Sequence, residues 1–139
     1  HTASHLLQAA LRQVLGQGVR QMGSNITSER LRFDFSHPDR LSEDQLAEVE
    51  RIVNRQIERD LPVSIAVTTL DQALAEGALA FFGDKYGDQV KVYTIGDFSK
   101  EVCGGPHVER TGQLGRFQIL KQEAVGHGVR RIRATLAES

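Results

Sequence analysis

A single cysteine, Cys103, stands in 139 residues. That excludes an internal disulfide and fits a reducing compartment. Long apolar runs are missing as well: none approaches the roughly 20 residues needed to cross a bilayer, and no signal peptide opens the chain. No membrane partner and a cytoplasmic location are therefore expected. Neither sign of charge is in excess, with 17 Lys and Arg against 18 Asp and Glu and a net charge of -1. Bulk charge gives no case for nucleic-acid binding, DNA included, so any such contact must rest on local basic patches. Methionine is absent from position 1, which reads as a processed chain or, with more weight, as an excised piece, because a metal ligand on a free amino terminus would sit on a fraying end. Repeats and low-complexity linkers are also lacking. What is present is ordinary for a globular protein, 40% hydrophobic and 25% charged, enough for one domain over residues 1–139 with a real core.

Against that background two matched pairs stand out, His1-x3-His5 and Cys103-x3-His107. Imidazole nitrogens and a thiolate are ligands that zinc favours, and four of them can fill a tetrahedron. Residues four apart on a helix share a face, so His1 and His5 can point at one ion. Cys103-Gly104-Gly105-Pro106-His107 is too rich in Gly and Pro for a helix and reads as a loop, in which Gly104 and Gly105 let the backbone bend closely around what it holds. A protease-type helix is excluded, since it needs Glu after its first His and here Thr2 follows.

The chain reads as mixed helix and strand. Around the first helix, at about 100° per residue, Leu6, Leu7, Ala10, Leu11, Val14 and Leu15 form a broad apolar arc. His1, His5, Gln8 and Arg12 form a narrow stripe expected to look away from the core, towards a cleft or solvent. Gly16 and Gly18 stop this helix. A strand pair near 19–22 and 31–35 follows, joined through the turn-rich Gly23-Ser24-Asn25; Leu31, Phe33 and Phe35 alternate with Arg32 and Asp34 as in a half-buried strand. Ser42 with Gln45 makes a capping box for a helix carrying Leu46, Val49, Ile52, Val53 and Ile57. Pro62 opens a strand with Val63, Ile65 and Val67 on one face. A shorter helix over 71–79, a strand at 90–95, one around Phe117 and Ile119, and one at 129–136 complete the set, with Gly126 and Gly128 in the last turn. The expected class is α+β, a two-layer fold in which helices pack on a largely antiparallel sheet, with a zinc site between the first helix and the Cys103–His107 loop.

Alternation along the last strand places Arg130, Ile132, Ala134 and Leu136 on one face, with Val129, Arg131 and Arg133 on the other. Arg131 and Arg133 read as a solvated face. Arg130 shares its face with apolar residues, and a buried arginine needs a partner. It either pairs with an internal carboxylate or points into a cleft where an anion such as a phosphate binds.

Five ordered blocks carry a resemblance that runs nearly end to end: His1-Thr2-Ala3-Ser4-His5-Leu6-Leu7, Leu31-Arg32-Phe33-Asp34-Phe35-Ser36-His37, Phe82-Gly83-Asp84-Lys85-Tyr86-Gly87-Asp88, Glu101-Val102-Cys103-Gly104-Gly105-Pro106-His107-Val108 and Gly128-Val129-Arg130-Arg131-Ile132. With them the chain resembles the editing domain of alanyl-tRNA synthetase and its freestanding relatives, whose fold is shared with the threonyl-tRNA synthetase editing region. The resemblance implies an aminoacyl-tRNA deacylase that hydrolyses serine or glycine from wrongly charged tRNA for alanine. It implies one Zn²⁺ per chain on His1, His5, Cys103 and His107, and Gln21 and Ser24 as catalytic residues. It further implies substrate contacts from Ser4, Gly104, Gly105 and Arg130. The implied partners are the acceptor end of that tRNA and, for an excised piece, the other domains of the synthetase. Two departures accompany it: Ser4 stands where the family has Thr, losing a methyl, and Pro106 replaces the usual Thr of the loop while leaving both ligand positions intact. The Phe82–Gly87 block lacks a phosphate-loop pattern and reads as a turn.

The implied chemistry is physically consistent. An aminoacyl ester is activated, so modest catalysis suffices, and zinc either assists hydrolysis directly or positions the substrate's amino group. Four protein ligands close a tetrahedron, which leaves a structural-zinc tRNA-binding module as the alternative. A site built for alanine's methyl excludes glycine poorly and serine only modestly, so a second site reading serine's hydroxyl through Ser4, Gln21 or Ser24 supplies the missing selectivity.

Overall fold

The computed structural model describes residues 2–27, 30–80, 87–103, 108–126 and 128–137. In chain order these form α1 (Thr2–Leu15), β1 (Gln21–Ile26), β2 (Arg30–Ser36), α2 (Glu43–Glu58), β3 (Val63–Thr68), α3 (Leu70–Ala75), β4 (Val90–Ile95), β5 (Ser99–Val102), a single 3-10 turn (Thr111–Leu114), β6 (Arg116–Gly126) and β7 (Val129–Ala137). The α+β class holds, and every pairing of named strands is antiparallel. The one sheet expected is divided in two, ordered β1-β2-β7-β6 and β3-β4-β5.

Hydrophobic periodicity explains the larger half. Leu6, Leu7, Ala10 and Leu11 of α1 and Val49, Val53 and Ile57 of α2 pack with Leu31, Phe33, Phe35, Phe117, Ile132 and Ala134 of the four-stranded sheet. Phe33, Phe35 and Phe117 are fully buried, each contributing on the order of 2–3 kcal/mol through apolar area removed from water. The start of α2 is set as its sequence demands. Ser42 Oγ accepts from the Gln45 N–H, and Gln45 Oε1 accepts from the Ser42 N–H, satisfying two donors that a helix start leaves unmatched. A smaller cluster of Ala73, Ala78, Val90, Val92 and Val102 holds α3 on the three-stranded sheet.

Several expectations need correction. Gly23-Ser24-Asn25 is not the hairpin turn; it lies inside β1, and the turn is formed after Ile26, where the Thr27 N–H donates to Arg30 O. The third helix ends at Ala75, because Gly77 takes φ +89 and the chain then runs beside β5, the Leu79 N–H donating to Lys100 O. Strand β5 carries no alternation strong enough to announce it and was not expected. On β3, the edge strand of the three-stranded sheet, Ile65 and Val67 stay exposed. Among the described residues no helix is long and apolar enough to cross a membrane. The expected turn at Phe82–Tyr86 lies outside the described residues.

Candidate functional site

The polar stripe of α1 divides: His5 and Gln8 are shut off from solvent, while Gln8 and Arg12 line a cleft, one of the two outcomes expected. His5 is fully buried and Gln8 is 4% exposed, because α1 is covered on that side by β5 and its neighbours. The His5 ring stands edge-on to Tyr93, with centroids 6.5 Å apart and planes at 82°. Its Nδ1 lies 3.6 Å from Glu101 Oε2. Tyr93 and Glu101 are cross-strand partners and so share one face of the three-stranded sheet. The Cys103 N–H donates to Lys91 O, extending the ladder beyond Val102. Period-two alternation then puts Cys103, itself buried, on the same side as Glu101.

A second contact ties this seam together. The Val108 N–H donates to Thr2 Oγ1 at 3.2 Å across a separation of 106 residues. The sequence neighbours of His1 and His107 are thereby brought together, as the helix and loop around His5 and Cys103 already are. His1, Gly104, Gly105 and His107 lie outside the described residues, and no group of three ligating side chains forms among those described. The described part of the donor set, a buried imidazole and a buried thiol on facing elements, fits zinc in chemistry and burial. Glu101 was missed as a site residue, although it opens one of the five blocks. Burial pushes its carboxyl up to about 8, against the opposing pull of the Ser99 hydroxyl and the Arg12 charge.

Gln21 and Ser24 meet through a β-bulge. Gln21 pairs with Phe35 and Gly23 with Asp34, leaving Met22 as the extra residue. In a regular strand, residues three apart point to opposite faces; the bulge returns both to one, and Gln21 Nε2 donates to Ser24 Oγ at 3.1 Å. Gln21 Oε1 is buried without a hydrogen-bond partner. The side chain also lines a cleft of about 340 Å³ between α1 and the start of β1. Ser4 is buried in the first turn of α1.

Arg130 lies opposite Phe35, on the helix-facing side of the sheet. Its Nη2 donates to Gln122 Oε1 at 3.0 Å, and Gln122 in turn brackets the Leu41 backbone through its Oε1 and Nε2. Among the described residues Arg130 has no carboxylate partner, and its buried Nε has no hydrogen-bond partner. The solvated face expected for its neighbours holds in part, the Arg133 side chain being 42% exposed and that of Arg131 19%. Arg131 makes a two-pronged pair with Asp34 at 2.8 and 3.1 Å, and Arg133 bonds Glu123 at 2.6 Å. Asp34 holds the Arg131 guanidinium proton more tightly than usual. Gln122 and Asp34 carry no sequence signal for these roles, since both pairings depend on strand register.

A family model described as "Threonyl and Alanyl tRNA synthetase second additional domain" matches residues 90–133, the stretch holding Glu101, Cys103 and Arg130. The chain is similar to the alanine–tRNA ligase of Treponema denticola, 64% identical over 98% of this chain and 23% of that protein. It is 61% identical to the alanine–tRNA ligase of Treponema pallidum, over 100% of this chain and again 23% of the relative. With the alanine–tRNA ligase of Nitrosococcus oceani the identity is 52%, over 100% of this chain and 16% of the relative. The chain thus spans about a quarter or less of the length of these relatives.

Proposed function

We propose that this chain, placed in the alanyl-tRNA synthetase family by its likeness to alanine–tRNA ligases and to the threonyl and alanyl tRNA synthetase second additional domain, deacylates tRNA for alanine wrongly charged with serine or glycine, as one domain of a longer synthetase. The observation that carries the reading is the seam between α1 and β5. His5 and Cys103 are buried on its facing sides, and the Thr2–Val108 hydrogen bond joins its ends. His1, His5, Cys103 and His107 would hold one zinc ion. When bound, zinc would supply polarisation of the ester or orientation of the amino group.

The remaining steps fall to this chain's own side chains. Gln21 and Ser24, joined on one face by the bulge, position the ester and a water molecule; neither is a strong base, which the activated ester tolerates. Ser4, Gln21 and Ser24 supply polar contacts for serine's hydroxyl, which the alanyl ester lacks. Gly104 and Gly105 allow the loop to approach the substrate closely. Arg130, without a carboxylate partner among the described residues, contacts the acceptor end, Gln122 holding its guanidinium.

Single-turnover hydrolysis of seryl, glycyl and alanyl esters of tRNA for alanine tests the reading. The seryl and glycyl esters are expected to be cleaved and the alanyl ester spared, with chelator slowing the reaction. Equal rates on seryl and alanyl esters would refute it. Elemental analysis is expected to find one zinc per chain and less in Cys103→Ser. Zinc bound without any hydrolysis would leave the structural-zinc tRNA-binding module.

A further inference from the structure

A strand at the edge of a sheet offers a row of unmatched N–H and C=O groups, and proteins guard such edges with side chains, bulges, proline or charge. The two sheets here have four edges, and three of them carry a guard. Along β6, Asn54 of α2 donates to Phe117 O and accepts from the Phe117 N–H, while Glu50 accepts from the Ile119 N–H. Two register shifts then bend that strand. Beside β5, the Leu79 N–H donates to Lys100 O, and Leu79 O accepts from the Val102 N–H. β1 is broken by the bulge at Met22.

Among the described residues β3 is the exception. It pairs with β4 without a register shift. Its segment Ser64-Ile65-Ala66-Val67-Thr68 contains no charge and no proline, and Ile65 and Val67 are 52% and 61% exposed. One bond fixes the direction of its free groups. Pro62 O accepts from the Gly96 N–H, so Pro62, Ser64, Ala66 and Thr68 bond towards β4, and Val63, Ile65 and Val67 turn their N–H and C=O groups to the open edge. The Val63 N–H is matched there by Glu109 O. At Ile65 and Val67 no described residue supplies a partner.

We propose that this edge binds the same edge of a second copy of the chain, the two β3 strands pairing antiparallel about a two-fold axis at Ala66. Register selects a copy as the occupant. Ile65 exchanges both backbone hydrogen bonds with the partner's Val67, and Val67 with the partner's Ile65, which satisfies every group left open at the two positions. Sliding the strands until Ile65 meets its own counterpart would need the Val63 N–H, already held by Glu109 O. Sliding them the other way would set Ile65 against Thr69, which lies beyond the strand as the cap of α3.

Side chains agree with that register. Cross-strand partners share a face, so Ile65 and Val67 of both copies form one apolar cluster. Ser64 stands opposite the partner's Thr68, and Ala66 opposite its counterpart; such apolar and Ser–Thr pairs stabilise a sheet, and no charge on either segment opposes them. A two-fold contact of this kind closes at two chains. Ile65 is also the cross-strand partner of Tyr93, and Tyr93 that of Glu101. The seams around His5 and Cys103 in the two copies therefore open on the same side of one continuous sheet. This inference does not depend on the deacylase reading.

Sedimentation of the 139-residue chain from about 10 μM to about 1 mM tests it, a range suited to a contact smaller than a standard interface. The parent's average mass is expected to rise towards twice that of the monomer. Val67→Lys, at an exposed position, adds the charge that edge strands use as a guard and should weaken association at least about tenfold. Val67→Pro removes an outward N–H without touching a bond to β4 and should act alike. Cross-linking tests the register. The two Ala66 residues form a non-hydrogen-bonded pair with Cα atoms about 4.5 Å apart, within reach of a disulfide. Ser64 is separated from its own counterpart by about 13 Å along the strand. Under a mild oxidant Ala66→Cys should form a covalent dimer and Ser64→Cys should not. A parent still monomeric at the highest concentration, a dimer indifferent to Val67→Lys, or equal cross-linking at the two positions overturns the proposal.

Discussion

Helices α1 and α2 lie side by side against the same core, yet they are built on different terms. α2 buries one stripe, Val49, Ile52, Val53, Gln56 and Ile57, and gives most of its remaining surface to solvent, apart from Glu50 and Asn54, which bond the β6 backbone. α1 buries Thr2 through Gln8 without a break, then Ala10 and Leu11. One side of α1 belongs to the hydrophobic core; the other carries His5, covered by Tyr93 of the second sheet, and Gln8, bonded to Val19 O. A helix covered on one side is free to be only a structural element. A helix covered on both sides can carry polar groups into the interior, where a low dielectric sharpens their chemistry.

Cutting into the apolar side of α1 should have the largest effect. Leu11→Ala, at a fully buried position, is expected to lose ~3 kcal/mol or more through lost transfer energy and the cavity left behind. Denaturant unfolding would measure it, and a loss below ~1 kcal/mol would mean that α1 is not tied into the core as described.

Next comes the polar side, probed through Glu101 in metal-free protein. Its carboxyl titrates at about 8 in the fold against 4.5 unperturbed, so between those values the folded chain keeps a proton that the unfolded chain releases. The stability tied to this group is therefore full below about pH 4.5 and falls as pH rises towards 8, by up to ~1.4 kcal/mol per pH unit. Glu101→Gln should flatten that decline relative to the parent. Parallel pH profiles would show that Glu101 is not desolvated at the seam.

On α2 the effects should be smaller. Ser42→Ala removes the cap from the Gln45 N–H and is expected to cost ~1 kcal/mol in unfolding. Smallest of all, Ala47→Gln on the exposed face should stay within ~0.5 kcal/mol. Should Ala47→Gln match Ser42→Ala, the contrast between the helices would fail on the α2 side.

What could be read from residues alone followed how local each interaction is. The capping box joins residues three apart, the apolar arcs repeat every turn, and the alternation of Leu31, Phe33 and Phe35 needs no partner to be recognised; all appear in the fold. The two His and Cys pairs and the five blocks are likewise local patterns, and the blocks sufficed to indicate the family. The bulge at Met22 was not legible, because register is set by β2, and without it Gln21 and Ser24 would lie on opposite faces. Nor was the ion pair of Arg131 with Asp34, a partner 97 residues away.

The chain's own periodicity and propensity thus dictate which segments become helices, which become most of the strands, and which residue types are offered for chemistry. Packing between distant elements decides the rest. It divides the strands into two sheets, covers His5 and Gln8 of α1, gathers Gln8, Arg12, Arg20 and Gln21 around one cleft, and raises the pKa of Glu101 by removing it from water. The physical reason is that burial, register and desolvation are properties of pairs of surfaces, and a sequence displays only one member of each pair at a time.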